Sequence, residues 1–98
     1  MTESEAREAL AGWRRQIDAV DLRILELLNE RTRVVQEIGR VKQSANLPVY
    51  EPKREGQVFL NVTENNPGPM PNDAVKRIFE RIVDEMRGIQ RMRMEGSK

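Results

Sequence analysis

"LLNERTRVVQEIGRVK", residues 27–42, places Leu27, Val34, Ile38 and Val41 at alternating intervals of three and four, with Arg31 in the slot where an apolar side chain belongs. The spacing predicts a helix with one packed face. Upstream, Leu10, Trp13, Ile17, Val20 and Ile24 carry the same row, and no proline interrupts the chain from Ser4 to Ser44. One long helix over about 4–44 is therefore expected. It puts a permanent cation, Arg31, on its packed side.

Downstream, "SANLPVYEP" (44–52) breaks the period, because neither Pro48 nor Pro52 can continue a helix. Glu51 followed by Pro52 marks a new start, with proline at the first helical position. A second helix over 52–64 presents Val58, Phe59 and Val62. "NNPGPMPND" (65–73) is a turn cluster, and a third helix over about 72–93 carries Val75, Ile78, Phe79, Ile82, Val83, Met86 and Ile89. No repeat and no strand period occurs. The expected fold is all-α, three helices with one very long, in a single domain over 1–98 with frayed ends at 1–5 and 95–98.

A helix of about 40 residues is roughly 60 Å long, whereas a compact domain of about 100 residues has a radius of gyration near 13 Å. The long helix must outrun what its own chain can cover, and exposed apolar surface costs about 25 cal/mol per Å². A second copy is the simplest cover, so a dimer or higher assembly is expected.

The 98 residues include 17 Lys or Arg against 16 acidic residues, a net charge of +1. That balance argues against nucleic acid or an anionic membrane as partner. Cysteine and histidine are both absent, which excludes disulfides, thiol chemistry, zinc sites of the usual kind and Ser-His or Cys-His nucleophiles. No metal or cofactor is called for. The start, "MTESEAREAL", is polar and acidic without a signal-like apolar stretch, and no run approaches the length of a membrane span. A cytoplasmic protein is expected.

Polar groups recur in the apolar rows. Lys42 lies eleven residues after Arg31, about 20° away around the helix and roughly 16 Å along it. Arg54 and Glu55 stand in line with Val58, Phe59 and Val62. Gln90 continues the row of Phe79, Val83 and Met86. Any one of these taken singly reads most simply as a snorkelling or register-setting charge. Together they are harder to dismiss, because buried unpaired cations cost several kcal/mol each. Glu55 alone cannot neutralise Arg31, Lys42 and Arg54, so the set calls for a small dianion held by guanidinium forks. In "WRRQIDAVD" (13–21), Arg15 and Asp18 read as a solvated face. Arg14 lies about 25 Å along the helix from Arg31, so the two would share one small ligand only across an antiparallel dimer.

From Leu10 to Gln90 these residues resemble the AroQ-class, all-α chorismate mutases. The resemblance rests on Arg14 with Ile17 and Asp21, "ERTRVVQEIGRVK" (30–42), "PVYEPKRE" (48–55) and "IFERIVDEMRGIQ" (78–90) in that order. It implies an intertwined homodimeric helical bundle whose sites each take one arginine from the neighbouring subunit. The implied reaction is the rearrangement of chorismate to prephenate in phenylalanine and tyrosine biosynthesis. That reaction is pericyclic, so it needs no nucleophile, metal, cofactor or proton transfer. By the same resemblance, Arg14 would cross the dimer to a substrate carboxylate, and Arg31 and Arg54 would bind carboxylates within the chain. Lys42 and Gln90 would donate to the ether oxygen of the breaking bond. Glu55, with Glu51, would hold the substrate hydroxyl.

Two positions depart from the family pattern. Glu51 stands where Asp is usual and is the poorer helix cap. Met86 replaces a small hydroxyl residue found in some members and fits a lining role. Two other readings stay open. Isochorismate-pyruvate lyases resemble this family and use much the same cationic pocket, while a helical dimerisation module would bind no ligand at all. The sequence leaves open whether a pathway enzyme docks on the dimer.

Overall fold

The computed structural model describes residues 1–96, with side chains through Arg93. The elements are α1 (Glu3–Ala45), α2 (Pro52–Glu64) and α3 (Asn72–Gly96), with no strand among the described residues. All three helices match the expected ones, the third running three residues further. Of the ends expected to fray, 1–5 and 95–98, residues 3–5 and 95–96 are instead helical, and 97–98 lie outside the described residues. Contacts gather the chain into two units, residues 1–33 and 34–98.

The first unit is the leading part of α1. Its start is fixed by a reciprocal cap: the Glu5 amide donates to Thr2 Oγ1 at 3.1 Å, and the Thr2 amide donates to Glu5 Oε1 at 3.3 Å. Such a box satisfies two amides that the first helical turn leaves without partners. Along this stretch Leu10, Trp13, Ile17 and Leu27 are exposed, Trp13 by 64%. Leu28 and Arg31 are half-buried.

The second unit holds the end of α1, α2 and α3. α1 stops at Ala45 because Asn46 turns left-handed, at φ 57°. The Leu47 amide then donates to Lys42 O at 2.7 Å and the Asn46 amide to Gln43 O at 3.3 Å. This is the two-bond closure that asparagine, after glycine, tolerates best. α2 opens with Pro52 in its first turn, where a missing amide hydrogen costs nothing. The connection to α3 is tied by Asn66. Its Nδ2 donates to Met70 O at 2.7 Å and to Asn72 Oδ1 at 2.8 Å, and its Oδ1 accepts from the Gly68 amide at 3.0 Å. Gly68 has φ +75°, a conformation in which a side chain would be strained.

α2 packs on α3, with Val58, Phe59 and Val62 half-buried between them. Val75, Val83 and Met86 of α3 and Val35 of α1 form the buried apolar core. At about 1.5–3 kcal/mol for each fully buried side chain of this size, so few contributors make a thin core.

One expectation is corrected. The packed row was expected to run through Val34, Ile38 and Val41, yet these are exposed, and α1 buries Val35, Gly39 and Lys42 instead. The apolar arc of α1 is broad, and only one edge of it faces α3. Gly39 selects that edge, because a Cβ there would stand 3.2 Å from Gln90 Cγ. The close approach needs a residue without a side chain.

Candidate active site

Lys42 and Gln90 are the two buried polar side chains among the described residues, 8% and 6% exposed. Lys42 comes from the last turn of α1, and Gln90 from the row of α3 that holds Val75, Val83 and Met86. Lys42 Nζ donates to Gln90 Oε1 at 3.1 Å and to Val49 O at 2.9 Å, and it lies 3.2 Å from Glu51 Oε2. An ammonium has three hydrogens, and all three have acceptors here. Gln90 Nε2 donates to Val35 O over a long 3.5 Å, which leaves that N–H weakly used.

Glu51 occupies the residue before α2 yet caps nothing with its side chain. The carboxylate turns to Lys42 instead. Its carbonyl accepts from the Glu55 amide at 3.0 Å, so Glu51 and Glu55 lie one turn apart at the start of α2. A helix N-terminus favours such negative charge.

The second ion pair was not anticipated from the sequence. Arg87 donates to Glu55 through Nε (3.0 Å to Oε2) and Nη2 (2.7 Å to Oε1, 2.9 Å to Oε2). Its Nη1 lies 3.3 Å from Asp84 Oδ1, and its guanidinium sits 4.9 Å from the centre of the Tyr50 ring. Hydrogen bonding to Glu55 holds the Arg87 pKa above its ordinary value. The available signal was spacing: three residues before Gln90, Arg87 shares its side of α3.

These pairings revise the charge argument drawn from the sequence. Lys42 has its own carboxylate in Glu51, and Glu55 is engaged by Arg87, so neither carboxylate serves Arg54. Arg54 is exposed, with a long 3.5 Å hydrogen bond to Gln57 Oε1. Of the expected site residues, Lys42, Glu51, Glu55, Met86 and Gln90 belong with Arg54 to the 34–98 unit, and Met86 is buried one turn before Gln90. Arg14, exposed, and Arg31, half-buried, belong to the 1–33 unit. No group of acidic side chains able to hold a metal ion occurs among the described residues, and no helix there is long and apolar enough to cross a membrane.

Fold and site together define an all-helical protein whose interior presents an ammonium beside an amide. Residues 13–91 match the family model for chorismate mutase type II, and the chain belongs to that family. A solved structure of chorismate mutase (form II) from Thermus thermophilus is 37% identical. It superposes with a TM-score of 0.82 over 85% of this chain and 94% of that one. The chain is 27% identical to a chorismate mutase of Methanocaldococcus jannaschii, covering 90% of each. It is also 38% identical over 80 residues to a bifunctional chorismate mutase/prephenate dehydratase of Aquifex aeolicus, matching 78% of this chain but 22% of that protein. The chain thus spans about a fifth of the bifunctional relative's length.

Proposed function

We propose that the chain is a chorismate mutase, an isomerase that rearranges chorismate to prephenate on the route to phenylalanine and tyrosine. The buried Lys42–Gln90 pair carries the reading. Burying an ammonium and an amide in so thin a core makes poor sense as packing, and good sense as a pair of donors for a reacting oxygen. Family membership and the names of the relatives support the same reaction.

In this reading Lys42 and Gln90 Nε2 donate to the ether oxygen as charge develops on it. Both are held before substrate arrives, so no ordering cost falls on the reacting complex. Of the three Lys42 acceptors, Glu51 is the exposed one, and its carboxylate is the partner that gives way to substrate. Arg54 and Arg31 bind the two carboxylates and fold the substrate toward its reactive shape. Arg14 reaches the same ligand from a second copy, and Glu55 with Glu51 accepts the substrate hydroxyl. Met86 supplies an apolar wall.

A homodimer belongs to this proposal. Leu10, Trp13, Ile17 and Leu27, with Val34, Ile38 and Val41, are exposed on one chain, more apolar surface than a monomer usually leaves wet. The test is a continuous assay of the purified chain with chorismate and, in parallel, isochorismate, with products identified. Prephenate from chorismate is the expected result. Pyruvate from isochorismate would favour the lyase, and turnover of neither would leave a helical assembly module.

A further inference from the structure

We propose that Arg87 is a positioning residue for substrate recognition: it fixes the Glu55 carboxylate and cancels its charge, so that Glu55 can accept a hydroxyl from a substrate that is itself a dianion. The inference rests on the proposed role of Glu55, and it answers a difficulty which that role creates. A bare carboxylate in the path of a doubly negative ligand would repel it. Arg87 removes the conflict without occupying the site.

The geometry separates Arg87 from the substrate-binding arginines. Its Nε and Nη2 are spent on Glu55 and its Nη1 on Asp84, so its fork is not turned toward a ligand carboxylate. Glu55 keeps acceptor capacity, because a carboxylate offers about four lone-pair positions and Arg87 takes three hydrogen bonds across two oxygens. A doubly bonded fork restrains the carboxylate in its own plane. The Tyr50 ring beside the same guanidinium ties the residue preceding Glu51 to α3 as well. One stretch of α3 thereby serves both halves of the site, Gln90 toward Lys42 and Arg87 toward Glu55.

The test is a double-mutant cycle on the full chain with chorismate as substrate, using Arg87→Met, Glu55→Gln and the pair, with Arg87→Lys as the conservative variant. Because Arg87 acts through a binding group, Arg87→Met is expected to raise KM about tenfold while kcat falls less than about threefold. Arg87→Lys should recover part of the KM. In the Glu55→Gln background, Arg87→Met should add less than about twofold, since the group it positions has lost its charge. Melting temperatures of all four variants are recorded. Losses that multiply in the double variant, or a fall in kcat and melting temperature with KM unmoved, would overturn the role of Arg87. If Arg87→Met does not fold, the same cycle run with Arg87→Lys decides by the same criterion. Absence of turnover in the unsubstituted chain would sink the reading of the site itself, a different result from turnover with multiplicative losses.

Discussion

Lys42 Nζ and Gln90 Oε1 meet at 3.1 Å across 48 residues of sequence, and both side chains are buried. Each helps hold the other: the ammonium fixes which end of the amide faces it, and the amide oxygen supplies one of three acceptors that let the charge stay buried. The contact exists because Gly39 lets α3 approach α1 closely enough for Gln90 to reach. The donors are thus oriented by the fold before any ligand binds.

Replacing Gln90 by Ala removes one donor and leaves Lys42 its other two acceptors. Loss of a preorganised donor to developing negative charge costs about 100- to 1,000-fold in kcat, and a fall in that range is expected for Gln90→Ala. Initial rates of prephenate formation, with helicity followed by circular dichroism, check it.

Gly39→Ala probes the same contact from the other side. The new methyl would meet Gln90 Cγ at 3.2 Å, tighter than ordinary packing, so Gln90 must shift by a few tenths of an ångström. Alanine gains about 1 kcal/mol of helix propensity over glycine, which offsets much of the crowding, of order 1–3 kcal/mol. The melting temperature should therefore move by only a few degrees while kcat falls about tenfold, a split that paired calorimetry and kinetics would show.

Helix positions were largely legible from punctuation: Pro48, Pro52 and the Asn65–Asp73 cluster bracket the elements, and Asn46 closes α1. The row of α3 ending at Gln90 was equally plain, because every member before Gln90 is apolar. What misled was the face of α1. Counting valines and isoleucines favours Val34, Ile38 and Val41, whereas the contact with α3 is set by Gly39, a residue without a side chain, which scores as nothing in an apolar count. Charge pairing was the least legible feature. Glu51 to Lys42 and Glu55 to Arg87 span separate helices, and the sequence alone made Glu55 look like the sole counter-ion. The Thr2–Glu5 cap is legible in its spacing, a threonine three residues before a glutamate.

The proposed sharing of Arg14 between subunits predicts complementation. Arg14→Ala and Arg31→Ala chains, each inactive alone, should regain part of the activity when mixed, because a mixed dimer can assemble one site with both arginines intact. Activity after subunit exchange, verified by mass spectrometry of tagged chains, is the measurement. No recovery despite exchange would remove Arg14 from the neighbouring site.

The chain has one tryptophan, Trp13, exposed on a single chain. Assembly through α1 should bury it, so its emission should lie to the blue in concentrated solution and move to the red on dilution. Sedimentation should return twice the 11.4 kDa chain mass over the same range. Trp13→Glu should abolish the assembly.

The most direct test of the central claim is Lys42→Ala assayed beside the unsubstituted chain. Removing the ammonium should reduce kcat/KM for chorismate by at least about 100-fold, with the circular dichroism spectrum still helical. Turnover within a few-fold of the unsubstituted chain would contradict the claim that this buried charge is there to stabilise the reacting oxygen.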